Sequence, residues 1–258
     1  MGGLRLALAM FTILPVPRPW HSDAGPATAT SAVRWLPLVG ALLGGLAGLP
    51  CAAVLGHDRQ ATFLCAALGV AGLALLSRGL HLDGLADTAD GLGSRAPGEQ
   101  ALAIMRRSDI GPFGVVTLVL VLVMDVAALT SIAAGGVWRP AAALATAAAT
   151  GRLAVAHAAV PGVVPARDGG FGALVAGGTG RLGAAALTVP VLAGGAALAA
   201  LVHANPVGWA GAQAVALMIA VGLRGHATRR LGGITGDVFG ALVEITTTLV
   251  LVGAAVAA

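Results

Sequence analysis

"VVTLVLVLVMDVAALTSIAA" (115–134) runs for twenty residues with a single charged side chain. A helix of that length rises about 30 Å, the thickness of the hydrocarbon core of a bilayer. Comparable runs recur outward in both directions, at about 34–55, 61–80, 111–134, 140–161, 182–203, 206–223 and 237–258. The chain of 258 residues is 57% hydrophobic and 10% charged, where soluble domains carry about a quarter charged residues. Too little polar surface exists to cover a water-facing globule. The expectation is an all-α, polytopic integral membrane bundle of about seven transmembrane helices, forming one domain over residues 1–258. Segment 4–14 is too short to cross. Its basic-then-apolar start resembles a signal peptide, but no small-residue cleavage site precedes "PVPRPW" (15–20), so a retained interfacial or re-entrant helix is expected.

All 15 basic residues are arginine, and the net charge is +4. In a membrane protein a basic balance reports topology first, and nucleic acid is not an expected partner. Alternating the loops across seven spans puts Arg5, Arg18, Arg34, Arg78, Arg95, Arg106, Arg107, Arg167, Arg181, Arg224, Arg229 and Arg230 on one side. Arg59 and Arg139 alone fall on the other, and Arg152 lies within a span. That bias makes the arginine-rich side cytoplasmic. Cys51 and Cys65 sit in apolar runs and read as small buried hydrophobes, without metal-type spacing.

Just upstream of the opening run lies "HLDGLADTADGLG" (81–93), with three of the chain's 11 acidic residues. Asp83, Asp87 and Asp90 are spaced i, i+4, i+7, which is one helix face. Carboxylates so placed repel one another. A divalent cation cancels the repulsion, and an all-oxygen ligand set suits magnesium, or manganese, together with a substrate phosphate. The plain alternative is a solvated acidic face. His81 falls on the opposite face of a continuous helix, and Gly84 and Gly91 speak against continuity.

The same side carries "IMRRSDIGPFG" (104–114), whose Arg106, Arg107, Ser108 and Asp109 are candidates to clamp a diphosphate or to hold lipid headgroups. It also carries "GGITGDVFG" (232–240), where Gly236 and its neighbours leave backbone N–H groups at a helix start, a candidate anion cradle. Asp237 and Glu244, seven apart, share a face. Arg152, within a span, is a candidate phosphate ligand or the partner of a buried Glu244 or Asp125.

"HLDGLADTADGLG", "IMRRSDIGPFG", "TGR" (150–152) and "GGITGDVFGALVE" (232–244), together with "FTILPVP" (11–17) and "RWLPLVGALLG" (34–44), resemble in order the motif set of the cobalamin synthase family, the adenosylcobinamide-GDP ribazoletransferases. One departure stands out. The family's usual order is Asp-Ser-Arg-Ile-Gly, whereas here Arg107 and Asp109 are exchanged around Ser108. The resemblance implies a magnesium-dependent enzyme of the bacterial cytoplasmic membrane with its active site facing the cytoplasm. It would join adenosylcobinamide-GDP to α-ribazole or its 5′-phosphate and release GMP. On that reading Asp83, Asp87 and Asp90 hold the metal, and His81, Arg106 and Arg152 are catalytic. Arg107, Ser108, Asp109, Gly236, Asp237 and Glu244 bind substrate. The oligomeric state stays open, a homo-oligomer included. A CDP-alcohol phosphotransferase is the nearest other enzyme, but "DGLADTAD" lacks that signature's Ala-Arg. A transporter is the alternative of a different class, and the charge concentrated at one face argues against it.

Overall fold

The computed structural model describes residues 2–17 and 25–257, so Arg18 lies outside the described residues. The helices are α1 (Gly2–Phe11), α2 (Pro26–His57), α3 (Thr62–Leu76), α4 (Leu80–Gly93), α5 (Gly98–Ile104), α6 (Pro112–Ala134), α7 (Arg139–Ala158), α8 (Gly170–Val175), α9 (Arg181–Leu201), α10 (Pro206–Leu231) and α11 (Gly236–Val256). Local chemistry sets several ends. Proline opens α2, α6 and α10, where its missing N–H costs nothing. The Thr235 hydroxyl caps α11 by accepting from the Val238 N–H. Gly79, in the left-handed region at φ +65°, breaks the chain between α3 and α4, which meet at 89°.

Each expected span is a helix, but the count changes. By length and composition α2, α6, α9, α10 and α11 can each cross a membrane, and α3 with α4 makes a sixth only as a bent pair. The helix that falls short is α7, rich in alanine and carrying Arg152 and His157. Nearly all of its residues are buried among the other helices. A helix wrapped by protein need not be lipophilic. Its small side chains instead let α2 approach closely: a Cβ at Gly40, Gly44 or Gly48 would lie 2.2–2.3 Å from atoms of Ala148, Leu144 or Ala141.

The loops sort to two ends, as the arginine tally requires. At one end Arg139 reaches the carbonyls of Val202 and His203, near Arg59 and the 135–138 turn. At the other, Pro165 bridges to Ile234, the Ile13 N–H donates to Leu76 O, and Arg230 donates to Ala96 O. Cys51 and Cys65 are buried free thiols.

Candidate active site

The stretch that drew attention in the sequence, residues 81–93, lies wholly within one unbroken helix, α4. Gly84 does not interrupt it; it allows close packing. A Cβ there would stand 2.8 Å from the Asp237 carbonyl oxygen, and Gly240 of α11 packs reciprocally against the backbone of His81 and Gly84. Past its right-angle bend, α4 therefore lies across the first turns of α11 and α6 at the arginine-rich end. Its two faces then meet different surroundings.

One face opens on a cleft of about 570 Å³. Asp83 and Asp87 line it from α4, Arg106, Arg107, Ser108 and Asp109 from the segment before α6, and Asp237 from α11. Arg107 and Asp109 both face this space, so exchanging them around Ser108 keeps an acid and a base at the cleft. Burial, reinforced by the negative charges of Asp83, Asp237 and Asp90, pushes the Asp87 carboxyl up to about 6. The sequence reading passed over Arg167, which also lines the cleft and donates to Asp237 Oδ2 at 2.8 Å. The 164–166 backbone pairs with Ile234 and α8 packs on the start of α11, which brings the Arg167 loop to Asp237, and nothing local to "PARDGG" (165–170) announces that.

Asp90 shares the face but not the cleft. Its Oδ2 accepts from the Gly111 N–H at 2.7 Å and its Oδ1 from the Gly114 N–H at 2.9 Å. Both oxygens thus satisfy orphan donors at the start of α6. Asp90, expected with Asp83 and Asp87 as a metal ligand, here holds the start of α6. Gly236 is likewise engaged in packing, its N–H lying close to Gly172 of α8.

The opposite face of α4 looks into the bundle. His81 is buried, stacks on Phe11 with ring centroids 6.0 Å apart, and holds Nδ1 3.9 Å from Glu244 Oε1. Arg152 is buried too and donates to Ala148 O at 3.2 Å. Glu244 and Arg152 interact as opposite charges, and Asp125 borders the same small hollow as Glu244. The structure brings together these three expected site residues, His81, Arg152 and Glu244, but behind the helix and away from the cleft. The arrangement is a buried cluster of ionisable groups in which His81 Nδ1, Arg152 Nε and Asp125 Oδ1 have no hydrogen-bond partner among the described residues.

Among the described residues no three His, Cys, Asp or Glu side chains converge closely enough to hold a metal by themselves. The cleft nevertheless suits a hard cation. Magnesium is commonly held by one or two carboxylates and completed by waters and substrate phosphates. Asp83 and Asp87 supply two carboxylates one turn apart on the wall of the cleft.

Residues 3–255 match the family described as cobalamin-5-phosphate synthase, CobS. The chain belongs to that family. An adenosylcobinamide-GDP ribazoletransferase of Frankia casuarinae is 43% identical, over 94% of this chain and 90% of its own length. The relative of the same name from Roseiflexus sp. is 36% identical over 95% of this chain and 86% of its own. A third, from Klebsiella pneumoniae, is 36% identical over 93% of each. No solved structure matches the chain. The matched region takes in both sides of the cleft, the buried cluster behind α4 and every candidate membrane span.

Proposed function

We propose that the cleft between α4, the 105–110 segment, Arg167 and Asp237 is where this chain carries out its family's reaction. As a family member over nearly its whole length, the chain is an adenosylcobinamide-GDP ribazoletransferase of cobalamin biosynthesis. The observation that carries the assignment is the facing of Asp83 and Asp87 by Arg106, Arg107 and Arg167 across one open space. Carboxylates for a cation and guanidinium groups for phosphate oxygens are what a diphosphate linkage needs.

In this mechanism Arg106, Arg107 and Arg167 bind the phosphate oxygens of adenosylcobinamide-GDP and orient the linkage. Asp83 and Asp87 would hold Mg²⁺, for which Mn²⁺ is a substitute, and the ion would neutralise charge on the diphosphate and its leaving group. A ribose hydroxyl oxygen of α-ribazole, free or as its 5′-phosphate, bonds to the phosphorus nearest cobinamide. The bond from that phosphorus to the bridging oxygen breaks, GMP leaves with the electron pair, and adenosylcobalamin or its 5′-phosphate forms. The hydroxyl proton passes to a cleft carboxylate, Asp109 or Asp237, because His81 lies behind α4. When Asp237 accepts from substrate, Arg167 is released to phosphate. The arginine-rich end supports a cytoplasmic orientation of the cleft in a bacterial inner membrane.

The test is release of GMP by purified protein from adenosylcobinamide-GDP and α-ribazole with and without magnesium. Asp83→Asn and Asp87→Asn should each abolish turnover in protein that remains folded. Near-normal turnover in both variants would overturn the site.

A further inference from the structure

At the end remote from the cleft, α2 and α9 both pack on α7 but leave a slot between them. Two cavities, about 1000 and 520 Å³, occupy it and share Ala41, Ala145, Leu198 and Leu201; the smaller one runs back along α2 toward the arginine-rich end as far as Arg34. The floor is the small-residue face of α7, including Ala142, Ala145 and Ala149, and the walls are leucines such as Leu42, Leu46 and Leu201. The mouth is different: Arg59, Trp138, Arg139 and His203 ring it.

We propose that this slot binds an anionic phospholipid, its phosphate held by Arg59 and Arg139 and its acyl chains lying along α7. The charge distribution carries the inference. Arginines on this side of the bundle work against the positive-inside bias, and the loops here hold only two. Both stand at the mouth of one apolar slot. Arg139 donates to the carbonyls of Val202 and His203. That fixes its guanidinium in place with further donors to spare, since the group has five N–H bonds. Arg59 is exposed. Trp138, 60% exposed beside them, is of the residue type enriched at membrane interfaces. Guanidinium groups at the mouth of an apolar slot suit a headgroup phosphate, which they can bind through paired N–H donors. A second copy of this chain fits less well. The loops at this end offer one acidic residue, Asp58, which is itself next to Arg59.

The test is native mass spectrometry of the full-length protein exchanged into mixed micelles of phosphatidylglycerol and phosphatidylcholine. Wild type should retain phosphatidylglycerol preferentially. Arg59→Gln should cut that preference about fivefold, the effect of one arginine at a membrane surface. Arg59→Gln with Arg139→Gln should erase it. Ala41→Phe, which puts a ring where the two cavities meet, should reduce retention of both lipids. Equal retention of the two lipids by wild type would overturn the proposal, as would an unchanged preference in Arg59→Gln. Displacement by millimolar inorganic phosphate would identify free phosphate as the ligand instead. A lipid-free dimer that Ala41→Phe dissociates would assign the slot to a second copy.

Discussion

Asp90→Asn separates the two kinds of work done by the aspartates of α4. In the wild type, both oxygens of Asp90 accept backbone N–H donors at the start of α6, at 2.7 and 2.9 Å. The amide keeps one acceptor and turns an NH2 toward the other donor. One hydrogen bond to a charged group is lost, at about 1.5–3 kcal/mol. The negative charge at the helix start goes with it, a further 0.3–1 kcal/mol or so. Together the change costs about 2–4 kcal/mol, which at roughly 2–4 °C per kcal/mol lowers the melting midpoint by about 4–16 °C. The assay is thermal unfolding in detergent, paired with magnesium titration of the folded protein well below the midpoint. Asp90→Asn should melt early yet still take up the cation. Asp83→Asn, at an exposed position on the cleft, should melt normally and lose cation uptake. An Asp90→Asn protein with wild-type stability and no cation uptake would refute the division and return Asp90 to the metal site.

Three further outcomes follow. Arg152→Gln removes a positive charge buried near Glu244 and should lower the melting midpoint, with much of the loss recovered in Arg152→Met combined with Glu244→Gln, both measured by thermal unfolding. Gly84→Leu forces a side chain against the Asp237 backbone, only 2.8 Å from where its Cβ would sit; α4 lifts off α11, and GMP release should fall at least tenfold while the protein still inserts in membranes. The Asp87 carboxyl is raised to about 6 by burial and its acidic neighbours, so between about pH 4 and pH 6 the folded state binds more protons than the unfolded one. Stability without divalent cation should therefore fall as pH rises through that window, cation affinity should rise over it, and saturating magnesium should reverse the loss; a melting midpoint that climbs with pH in cation-free buffer would contradict this.

How much of this was legible beforehand varies with the range of the interaction. The helices of the bundle followed from apolar length, and the two-ended sorting of the loops followed from arginine placement, because insertion physics acts on local composition. The motif order in "HLDGLADTADGLG" and "IMRRSDIGPFG" pointed to the same chemistry as the family match. The burial of α7 was hidden, since the sequence does not tell a helix wrapped by protein from one wrapped by lipid. Spacing put Asp83, Asp87 and Asp90 on one face. It could not reveal that the 111–114 backbone would claim Asp90, a contact between residues 21 and 24 apart in the chain. Arg152 read as functional because ionisable groups in membrane helices usually are, and His81 because an imidazole can take a proton near neutrality; that both lie beside Glu244 is a matter of packing between distant helices. Arg167 went unnoticed because its partner, Asp237, is 70 residues away.

The central claim is that Asp83 and Asp87 hold a divalent cation that grips the diphosphate of the substrate. Calorimetric titration of adenosylcobinamide-GDP into the purified protein, without α-ribazole and with or without magnesium, tests it most directly. The account predicts affinity at least tenfold higher with magnesium in the wild type, and no such gain in the Asp83→Asn, Asp87→Asn double variant. Equal affinity with and without the cation, or a gain that survives both substitutions, would contradict it.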